Sequence, residues 1–412
     1  MIEGLEARYR LTPLELLWGM PLGPDRERPA LSGSSSSGSP RAALEEVLVR
    51  ALARAPCLVS FSGGRDSSLV LALALDVARR HGLPLPIPAT NRFPGRPETD
   101  ESAWQELVVS HLDVQDWIRL EWTDELDVIG PYAQQALRRH GVLAPFNSHF
   151  HLPLLRAARG GSMLTGIGGD ELFSPVSREA AAAVLTRTRR PRAADLAPLA
   201  LALAPHPVRT AVIARRRRVF RTFGWLTPTA RRRIALAYAG WESQDPWRWD
   251  VALRRWWWRS RTLQCNRAGK RALARAENVE VAHPLCEPEV LRAVADAWGA
   301  SGPPNRRVAT EALGGDLLPR SVRERSDKSW FDRVFWTDHA RRWAQEWGGE
   351  GVDAAMVNVP GLRREWARNP ATPFVYTLLQ SAWVTSQRSN ALELGDQSLG
   401  GRGERVESPG TS

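Results

Sequence analysis

Cysteine is scarce in this sequence, and the few cysteines that occur lie far apart. Cys57, Cys265 and Cys286 are the only three in 412 residues. Their number and scatter exclude a disulfide framework and a cysteine-based zinc site. We therefore expect reduced thiols that pack as small apolar side chains.

Long apolar runs are also missing. No stretch of about eighteen uncharged apolar residues occurs, so no membrane-spanning helix is expected. The N-terminal stretch Met1–Arg10 is charged and has no apolar centre of the kind that signal peptides carry. These two absences predict a cytoplasmic protein with no membrane partner.

Lysine is the third rarity. Lys270 and Lys328 are the only two, and arginine supplies the rest of the 56 basic residues. The formal net charge of +11 is concentrated between Arg187 and Arg275, where 22 basic residues outnumber four acidic ones. Such a segment could bind an anionic or peptide partner. The simpler interpretation is solvated helix faces, and nucleic acid is disfavoured because aromatic residues are not regularly interleaved with the arginines.

The composition changes at both ends of the chain. The Gly/Ser-rich stretch Leu31–Pro40 predicts a flexible linker. We expect a single main domain over residues 41–394. The expected divisions are an N-terminal segment with its linker, an α/β part, a mainly helical part and a disordered tail, at residues 1–40, 41–173, 174–394 and 395–412.

The first third of the chain alternates strand and helix patterns. Short apolar runs predict strands at Cys57–Phe61, Leu85–Ala89, Trp117–Trp122 and Ser162–Thr165. Apolar residues at helical spacing predict helices at Arg41–Ala55, Ser67–His81, Glu98–Leu112 and Phe150–Arg159. This alternation is typical of an α/β fold, a parallel sheet with helices on both faces. Beyond about Phe173 the patterns are mostly helical.

A glycine turn follows the first predicted strand and opens a predicted helix. It reads Ser62-Gly63-Gly64-Arg65-Asp66-Ser67-Ser68. Glycines let the backbone approach a phosphate closely, and N–H groups at a helix start attract the anion. Asp66 would repel a phosphate, so its carboxylate makes sense as a magnesium ligand. The alternative is an ordinary Gly-Gly turn with a Ser/Asp helix cap.

A second glycine turn follows the strand predicted at Ser162–Thr165. It reads Thr165-Gly166-Ile167-Gly168-Gly169-Asp170-Glu171-Leu172-Phe173. Asp170 comes after the carboxyl end of a strand, where open α/β sheets bind ligands. It is therefore a candidate second magnesium ligand. The alternative is an acidic pair, Asp170-Glu171, that the dipole of the following helix stabilises.

Both turns resemble motifs of one enzyme group. The first resembles the SGGxDS pyrophosphate loop of ATP pyrophosphatases, and the second resembles the SGxGxDELF turn of asparagine synthetases, β-lactam synthetase and lasso-peptide cyclases. The resemblance covers roughly Arg41 to Trp347 and implies an adenine nucleotide α-hydrolase-like fold with ATP and Mg²⁺ as cofactors. It implies an amide ligase that activates a carboxylate as an acyl-adenylate, with Asp66 and Asp170 as metal ligands. The implied nucleotide-binding residues are Ser60, Ser62, Gly63, Gly64, Asp66, Ser67, Ser68, Asn91, Gly166, Gly168 and Gly169.

Two further segments match that family more weakly. Arg325–Phe331 resembles its K-x-x-F segment, which makes Lys328 the expected catalytic cation. A lysine kept in a chain that otherwise uses arginine is consistent with a need for a compact ammonium; the alternative is a surface lysine. Val279–Glu287 resembles the E-x-R-x-P-F-L-D segment, with Ala282 in place of the arginine. Glu280 is then either a catalytic residue or one half of an ion pair.

The sequence departs from asparagine synthetases at two points. Residue 2 is Ile2 rather than the cysteine nucleophile of a glutaminase domain, and only about 60 residues precede the pyrophosphate loop, so no glutaminase domain is expected. Ile167 stands where asparagine synthetases commonly have Glu and β-lactam synthetase has Tyr. Because isoleucine cannot accept a proton, the amine must lose its proton by another route.

The substrates stay open at this point. The family default is synthesis of asparagine from aspartate and ammonia. The two departures and the basic segment favour a ligase that tailors a natural product or a ribosomal peptide, such as a lasso-type macrolactam. A tRNA-modifying enzyme is disfavoured because those enzymes share the first motif but not the second. An inactive homologue is disfavoured by the presence of Asp66, Asp170 and Lys328.

Overall fold

Five parallel strands form the sheet of this protein. The computed structural model describes residues 5–36, 38–173, 184–185, 190, 192–216, 222–325 and 329–400. The strands are β1 (Cys57–Ser60), β2 (Ile87–Arg92), β3 (Ile118–Glu121), β4 (Ser162–Thr165) and β5 (Glu280–Ala282). Their order is β3-β2-β1-β4-β5, and every neighbouring pair is parallel. The predicted α/β fold is confirmed, and β5 is a strand that the sequence patterns did not show.

Helices precede, connect and follow the strands. Up to β4 they are α1 (Pro13–Trp18), α2 (Pro40–Leu52), α3 (Arg65–His81), α4 (Ser102–His111), α5 (Pro131–His140) and α6 (Leu152–Ala157). From β4 to β5 the described α-helices of five or more residues are α7 (Gly169–Phe173), α8 (Leu196–Leu203), α9 (His206–Arg216), α10 (Pro228–Glu242) and α11 (Arg261–Ala276). After β5 they are α12 (Pro288–Trp298), α13 (Arg306–Leu313), α14 (Arg320–Glu324), α15 (Asp338–Glu346), α16 (Val359–Trp366) and α17 (Tyr376–Gly400). The mainly helical second half is therefore also confirmed.

β2 begins two residues later than predicted and continues to Arg92. Pro88 has no N–H group to give to a ladder, yet it lies inside this strand opposite Val59 of β1. Pairing with β3 starts only at Ala89, which lies opposite Ile118. The proline therefore stands outside the β2–β3 ladder, which is why a central strand tolerates it.

The strand order changes direction at β1. The chain leaves β1 toward β2 on one side, while β4 lies on the other, so a crevice is expected at the carboxyl ends of β1 and β4. Ser60 and Thr165 end these strands and lie opposite each other in register. Both glycine turns follow directly, so the sheet order itself brings them together.

The N-terminal segment packs into the domain instead of standing apart from it. Thr12 and Glu15 form a capping box at the start of α1. The Glu15 carboxylate also accepts hydrogen bonds from Arg261 of α11 at 2.7 and 2.9 Å. Leu17 and Trp18 are buried in the core of the helical half.

The stretch predicted as a flexible linker is held by hydrogen bonds. The Leu31 N–H donates to the carbonyl of Arg254 at 3.0 Å, and the Arg254 side chain donates to the carbonyl of Gly33 at 2.6 Å. Composition could not predict these contacts, because the hydrogen-bond partner Arg254 lies more than two hundred residues away in the sequence. At the other end α17 runs to Gly400, so the first residues of the expected tail 395–412 are helical and its remainder lies outside the described residues.

Two kinds of core support the crevice. The clusters around the sheet are mostly aliphatic, whereas the cluster of the helical half is rich in Trp, Phe and Tyr. Phe150 and Phe331 pack against the aromatic cluster, with ring centroids 6.4 Å apart. No helix in the described part of the chain is both long and apolar enough to cross a membrane.

Candidate active site

A cleft of about 380 Å³ opens at the carboxyl ends of β1 and β4. It is lined by Ser60 and by residues from both predicted motifs, namely Ser62, Gly64, Asp66, Ser67, Gly166 and Asp170. The structure thus brings together two turns that are a hundred positions apart in the chain. Open α/β sheets bind ligands at this edge, as expected for a nucleotide site.

The turn after β1 is held by its own serines. The Ser62 and Ser67 hydroxyls lie 3.0 Å apart, and Ser62 Oγ accepts from the Gly64 N–H at 3.3 Å. Gly63 has a φ of +80°, a conformation that favours glycine. α3 begins directly after Gly64, so Asp66 and Ser67 stand in the first helical turn at the wall of the cleft.

One arginine joins the two predicted metal ligands. Arg306 donates from Nη2 to Asp66 Oδ1 at 2.5 Å and from Nη1 to Asp170 Oδ1 at 3.2 Å. Both carboxylates therefore converge within reach of a single guanidinium. The Asp66 side chain is 20% exposed, whereas that of Asp170 is 67% exposed.

Burial shapes the electrostatics of this group. It raises the pKa of the Asp66 carboxyl; the charge and hydrogen bond of Arg306 oppose the rise, and the charge of Asp170 adds to it. Burial and the neighbouring Arg306 also lower the pKa of the Arg65 guanidinium. The buried carboxylate is thus not fully compensated by Arg306, and additional positive charge would stabilise its ionised form.

Asp66 and Asp170 fit a magnesium ion. Mg²⁺ prefers oxygen ligands and commonly binds through one or two carboxylates together with phosphate oxygens and water. Two converging aspartates, of which Asp66 is half-buried and has a raised pKa, offer that donor set and that need for positive charge. The remaining ligands of such an ion would come from a polyphosphate and from solvent.

The second glycine turn packs directly on the first. A Cβ atom at Gly169 would lie 2.2 Å from Asp66 Cγ, and one at Gly166 would lie 2.7 Å from the Ser67 nitrogen. Both distances are far below van der Waals contact. Glycine at these positions therefore lets the turn carrying Asp170 approach the helix start carrying Asp66.

A buried ion pair forms another wall of the cleft. Arg325 binds Glu101 through both terminal nitrogens, with Nη2 to Oε1 at 2.8 Å, and the two side chains are 4% and 7% exposed. Arg325 also donates to the Gly63 carbonyl at 3.2 Å, so it ties the pyrophosphate-loop turn to this wall. Lys328 lies outside the described residues, between Arg325 and Ser329, which both line the cleft.

An imidazole lines the cleft, which Ile167 also lines. His151 lines the cleft, and its Nδ1 is buried with no hydrogen-bond partner among the described residues. Burial, the positive charge of Lys270 and the neighbouring His149 lower the pKa of His151 well below its ordinary value. The ring is therefore neutral at physiological pH and has a nitrogen lone pair.

Two predicted nucleotide-binding residues have other surroundings. The Asn91 amide donates to the Phe150 carbonyl and accepts from Trp122 Nε1, both at 2.9 Å. It lines a neighbouring cavity of about 370 Å³ that shares Glu101 with the cleft. Ser68 is fully buried, so its hydroxyl points into the protein rather than forming a wall of the cleft.

Glu280 lies at the opposite end of the sheet. It begins β5 and lies opposite Ser162, the first residue of β4, whereas the cleft begins at Thr165. Its side chain is 64% exposed and forms an ion pair with Arg54 at 3.5 Å. The catalytic role expected for Glu280 is thus not supported by its position, because it does not reach the cleft; the structure shows the ion pair instead.

The cleft also contains residues that were not predicted as site residues, among them Glu101, His151 and Arg306. Glu101 and Arg306 precede or open ordinary helices, and nothing in their local sequence marks them. A signal existed for His151: it stands before the helix that leads into β4. A helix that precedes a parallel strand starts near the carboxyl edge of the sheet.

A comparison with protein-family models identifies the family of this chain. The asparagine synthase model matches residues 41–387, a range that holds all five strands, both glycine turns and Arg306. A comparison with curated proteins finds no match. On the strength of the family match over most of its length, this chain belongs to the asparagine synthase family of ATP-dependent amide ligases.

Proposed function

We propose that this protein activates a substrate carboxylate as an acyl-adenylate, with release of pyrophosphate, and then transfers the acyl group to an amine. The observation that carries the proposal is the convergence of Asp66 and Asp170 at Arg306, beside a serine- and glycine-lined turn. Carboxylates at a phosphate-binding turn make chemical sense when a divalent cation joins them to the polyphosphate.

The first half-reaction depends on the residues around the two turns. Asp66 and Asp170 would hold Mg²⁺, which supplies charge neutralisation for the polyphosphate. The hydroxyls of Ser62 and Ser67 line the same wall and would donate hydrogen bonds to the pyrophosphate leaving group. Arg306 would pair with phosphate oxygens once the cation takes over the two carboxylates. Lys328 would stabilise charge on the adenylate; its neighbours Arg325 and Ser329 both line the cleft, which supports that placement.

The second half-reaction needs a proton acceptor. The amine nitrogen attacks the acyl carbon, the bond to the AMP oxygen breaks, and the ammonium formed must lose a proton. Ile167 cannot take it. His151 lines the same cleft, and we assign the proton to one of its ring nitrogens.

Two substrate classes stay candidates, and the walls of the cleft bear on the choice between them. Aspartate with ammonia is the family default. The second candidate is a tailoring reaction on a natural product or ribosomal peptide, such as macrolactam formation. The observation that favours it is the apolar lining by Ile167, Phe150 and Phe331. Apolar side chains stabilise larger and less polar groups than ammonia and the aspartate side chain.

The test is magnesium-dependent exchange of labelled pyrophosphate into ATP, with aspartate and a panel of other carboxylates and peptide acids. We expect exchange that requires one acid, is lost in Asp66→Asn and is kept in Asp316→Asn, a matched change at a residue that is 68% exposed. Folded wild-type protein that exchanges with no acid, or Asp66→Asn protein that exchanges normally, would contradict the proposal.

A further inference from the structure

Seven arginines surround two neighbouring cavities away from the cleft. The cavities have volumes of about 420 and 150 Å³, and both are lined by Arg271 and Arg275. We call this region the arginine surface; its arginines are Arg8, Arg28, Arg50, Arg54, Arg267, Arg271 and Arg275. Three carboxylates line the same cavities, those of Glu6, Glu280 and Glu287. The surface is therefore concave and strongly positive.

We propose that the arginine surface is a docking site for an acidic segment of a partner peptide or protein, whose carboxylates pair with Arg271 and Arg275. This site goes beyond the ligase chemistry of the cleft and does not depend on which carboxylate is activated there.

The helix α11 supplies the centre of the surface. Arg267, Arg271 and Arg275 follow one another at intervals of four, which places all three on one face of the helix. Like charges at this spacing repel and destabilise a helix. An anion placed between them would remove that repulsion.

Most arginines of the surface already form an ion pair with a carboxylate of this chain. The pairs are Arg8–Glu6 at 2.8 Å, Arg28–Asp25 at 3.6 Å, Arg50–Glu289, Arg54–Glu280 at 3.5 Å and Arg267–Glu287 at 3.0 Å. Arg271 and Arg275 differ from them. Both are exposed, and within the described ranges neither side chain has a hydrogen bond or an ion pair.

The pKa of Arg271 agrees with the lack of an ion pair at this residue within the part of the chain that the structure describes. Partial burial and the positive charge of Arg267 lower the pKa of the Arg271 guanidinium, with smaller contributions from Arg28 and Arg275, while Glu287 opposes them. The excess positive charge of the surface thus acts on Arg271, one of the two arginines that line both cavities. A bound carboxylate would relieve it.

The lining favours an acidic peptide over a nucleic acid. The apolar residues Leu5, Val47 and Val281 that line the cavities are almost fully buried, so the contacts offered to a partner come mainly from the arginines. Guanidinium groups bind carboxylates through two parallel hydrogen bonds. Tyr9 is the one aromatic side chain that lines either cavity in the described part of the chain, and Arg8 already covers its ring at 4.6 Å. Stacking sites for bases are therefore lacking there.

The chain's own terminal residues are a poorer occupant. Residues 401–412 contain Arg402 and Arg405 as well as Glu404 and Glu407, so their side-chain charges cancel. A partner with several uncompensated carboxylates complements the surface better.

The position of the surface leaves the cleft open. Arg54 precedes β1 and Glu280 begins β5, so the larger cavity lies at the amino ends of the strands. The cleft lies at their carboxyl ends. A partner could therefore stay bound at the amino ends of the strands while the reaction takes place in the cleft at their carboxyl ends.

The test measures binding of a short fluorescent peptide of alternating Glu and Val to the full chain by anisotropy. We expect binding that weakens with added salt and falls about tenfold or more in Arg271→Glu/Arg275→Glu. The control Arg232→Glu/Arg364→Glu changes the net charge equally at exposed arginines of α10 and α16, and it should bind like wild type. The milder Arg271→Gln/Arg275→Gln repeats the test if charge reversal impairs folding.

Three results would overturn the proposal. The first is that the control variant loses as much binding as Arg271→Glu/Arg275→Glu. The second is that a peptide with Gln in place of Glu binds as tightly as the acidic peptide. The third is that a single-stranded oligonucleotide binds more tightly than the acidic peptide and does so through the same two arginines. Pyrophosphate exchange measured in parallel separates this site from the cleft. If the chain is a ligase, the docking variants should keep normal pyrophosphate exchange. If the wild type shows no exchange, the ligase proposal is refuted, and the docking test still stands.

Discussion

The two ends of the sheet carry opposite arrangements of charge. At the carboxyl ends of β1 and β4, one arginine, Arg306, holds two aspartates. At the amino ends, the arginine surface has more guanidinium groups than carboxylates, and Arg271 and Arg275 stay without an ion pair among the described residues. The first arrangement suits a cation with a polyphosphate, and the second suits a carboxylate-rich partner. One fold thus presents two kinds of electrostatic site on separate edges.

The packing differs between the ends as well. At the carboxyl edge, glycines let two backbone turns approach until Gly169 touches the Asp66 side chain. At the amino edge, long arginine side chains of α2 and α11 line a cavity between the elements. Changes at the first edge should therefore act through steric fit, and changes at the second through charge.

The largest effect is expected at the contact between the turns. Gly169→Ala places a methyl group where the Asp66 carboxylate lies, so the metal ligands are displaced by about 1 Å or more, and pyrophosphate exchange should fall about a hundredfold or more. Gly240→Ala is the control, because a Cβ there meets no atom within 4 Å and the site is helical. That variant should exchange normally and gain about 0.5–1 kcal/mol of stability. Normal exchange by Gly169→Ala would break the link between the second turn and Asp66.

A smaller and more selective effect is expected at His151. His151→Phe keeps an aromatic ring but removes the proton acceptor, so amide formation should fall about a hundredfold while pyrophosphate exchange persists. The exposed His111 serves for a control, His111→Phe, with both half-reactions unchanged. Equal loss of exchange and amide formation would show that His151 shapes the cleft instead of moving a proton.

Lys270, on the buried face of α11, should make the free energy of unfolding depend on pH. Burial lowers the pKa of Lys270 from 10.5 to about 7, and its Nζ donates to Asn266 at 2.8 Å. Between these two values the folded state has lost a proton that the unfolded state keeps, so stability should rise with pH. We expect a gain of about 2 kcal/mol from about pH 7 to about pH 9 in urea denaturation, absent in Lys270→Met. The exposed Arg232→Met should keep the wild-type slope, and an unchanged slope in Lys270→Met would contradict the assignment.

The smallest effect is expected at the amino end. Glu280→Gln removes one exposed partner of Arg54, so pyrophosphate exchange and amide formation should stay within about twofold of wild type. A large loss of amide formation would show that Glu280 reaches the cleft during the reaction, and the separation between the two ends would fail.

The core of the site was readable from the sequence because its signals are local. Strand, glycine turn and helix follow one another within a dozen residues around Asp66, and again around Asp170. Local order of this kind fixes which backbone groups meet a ligand, and it carried the family assignment. Single-sequence patterns failed where the partner lies far along the chain: β5 is three residues long, and the linker-like stretch near Leu31 pairs with Arg254.

The sequence by itself thus determined the strands β1 and β4, the two glycine turns and the pair of aspartates, since each depends on neighbours within a few positions. Only the tertiary structure decided that Arg306 joins the aspartates, that Arg325 clamps Glu101 to the first turn, and that Glu280 stands at the far end of the sheet. These contacts join residues more than a hundred positions apart. Their geometry depends on strand order and register, and no local pattern of residues encodes either.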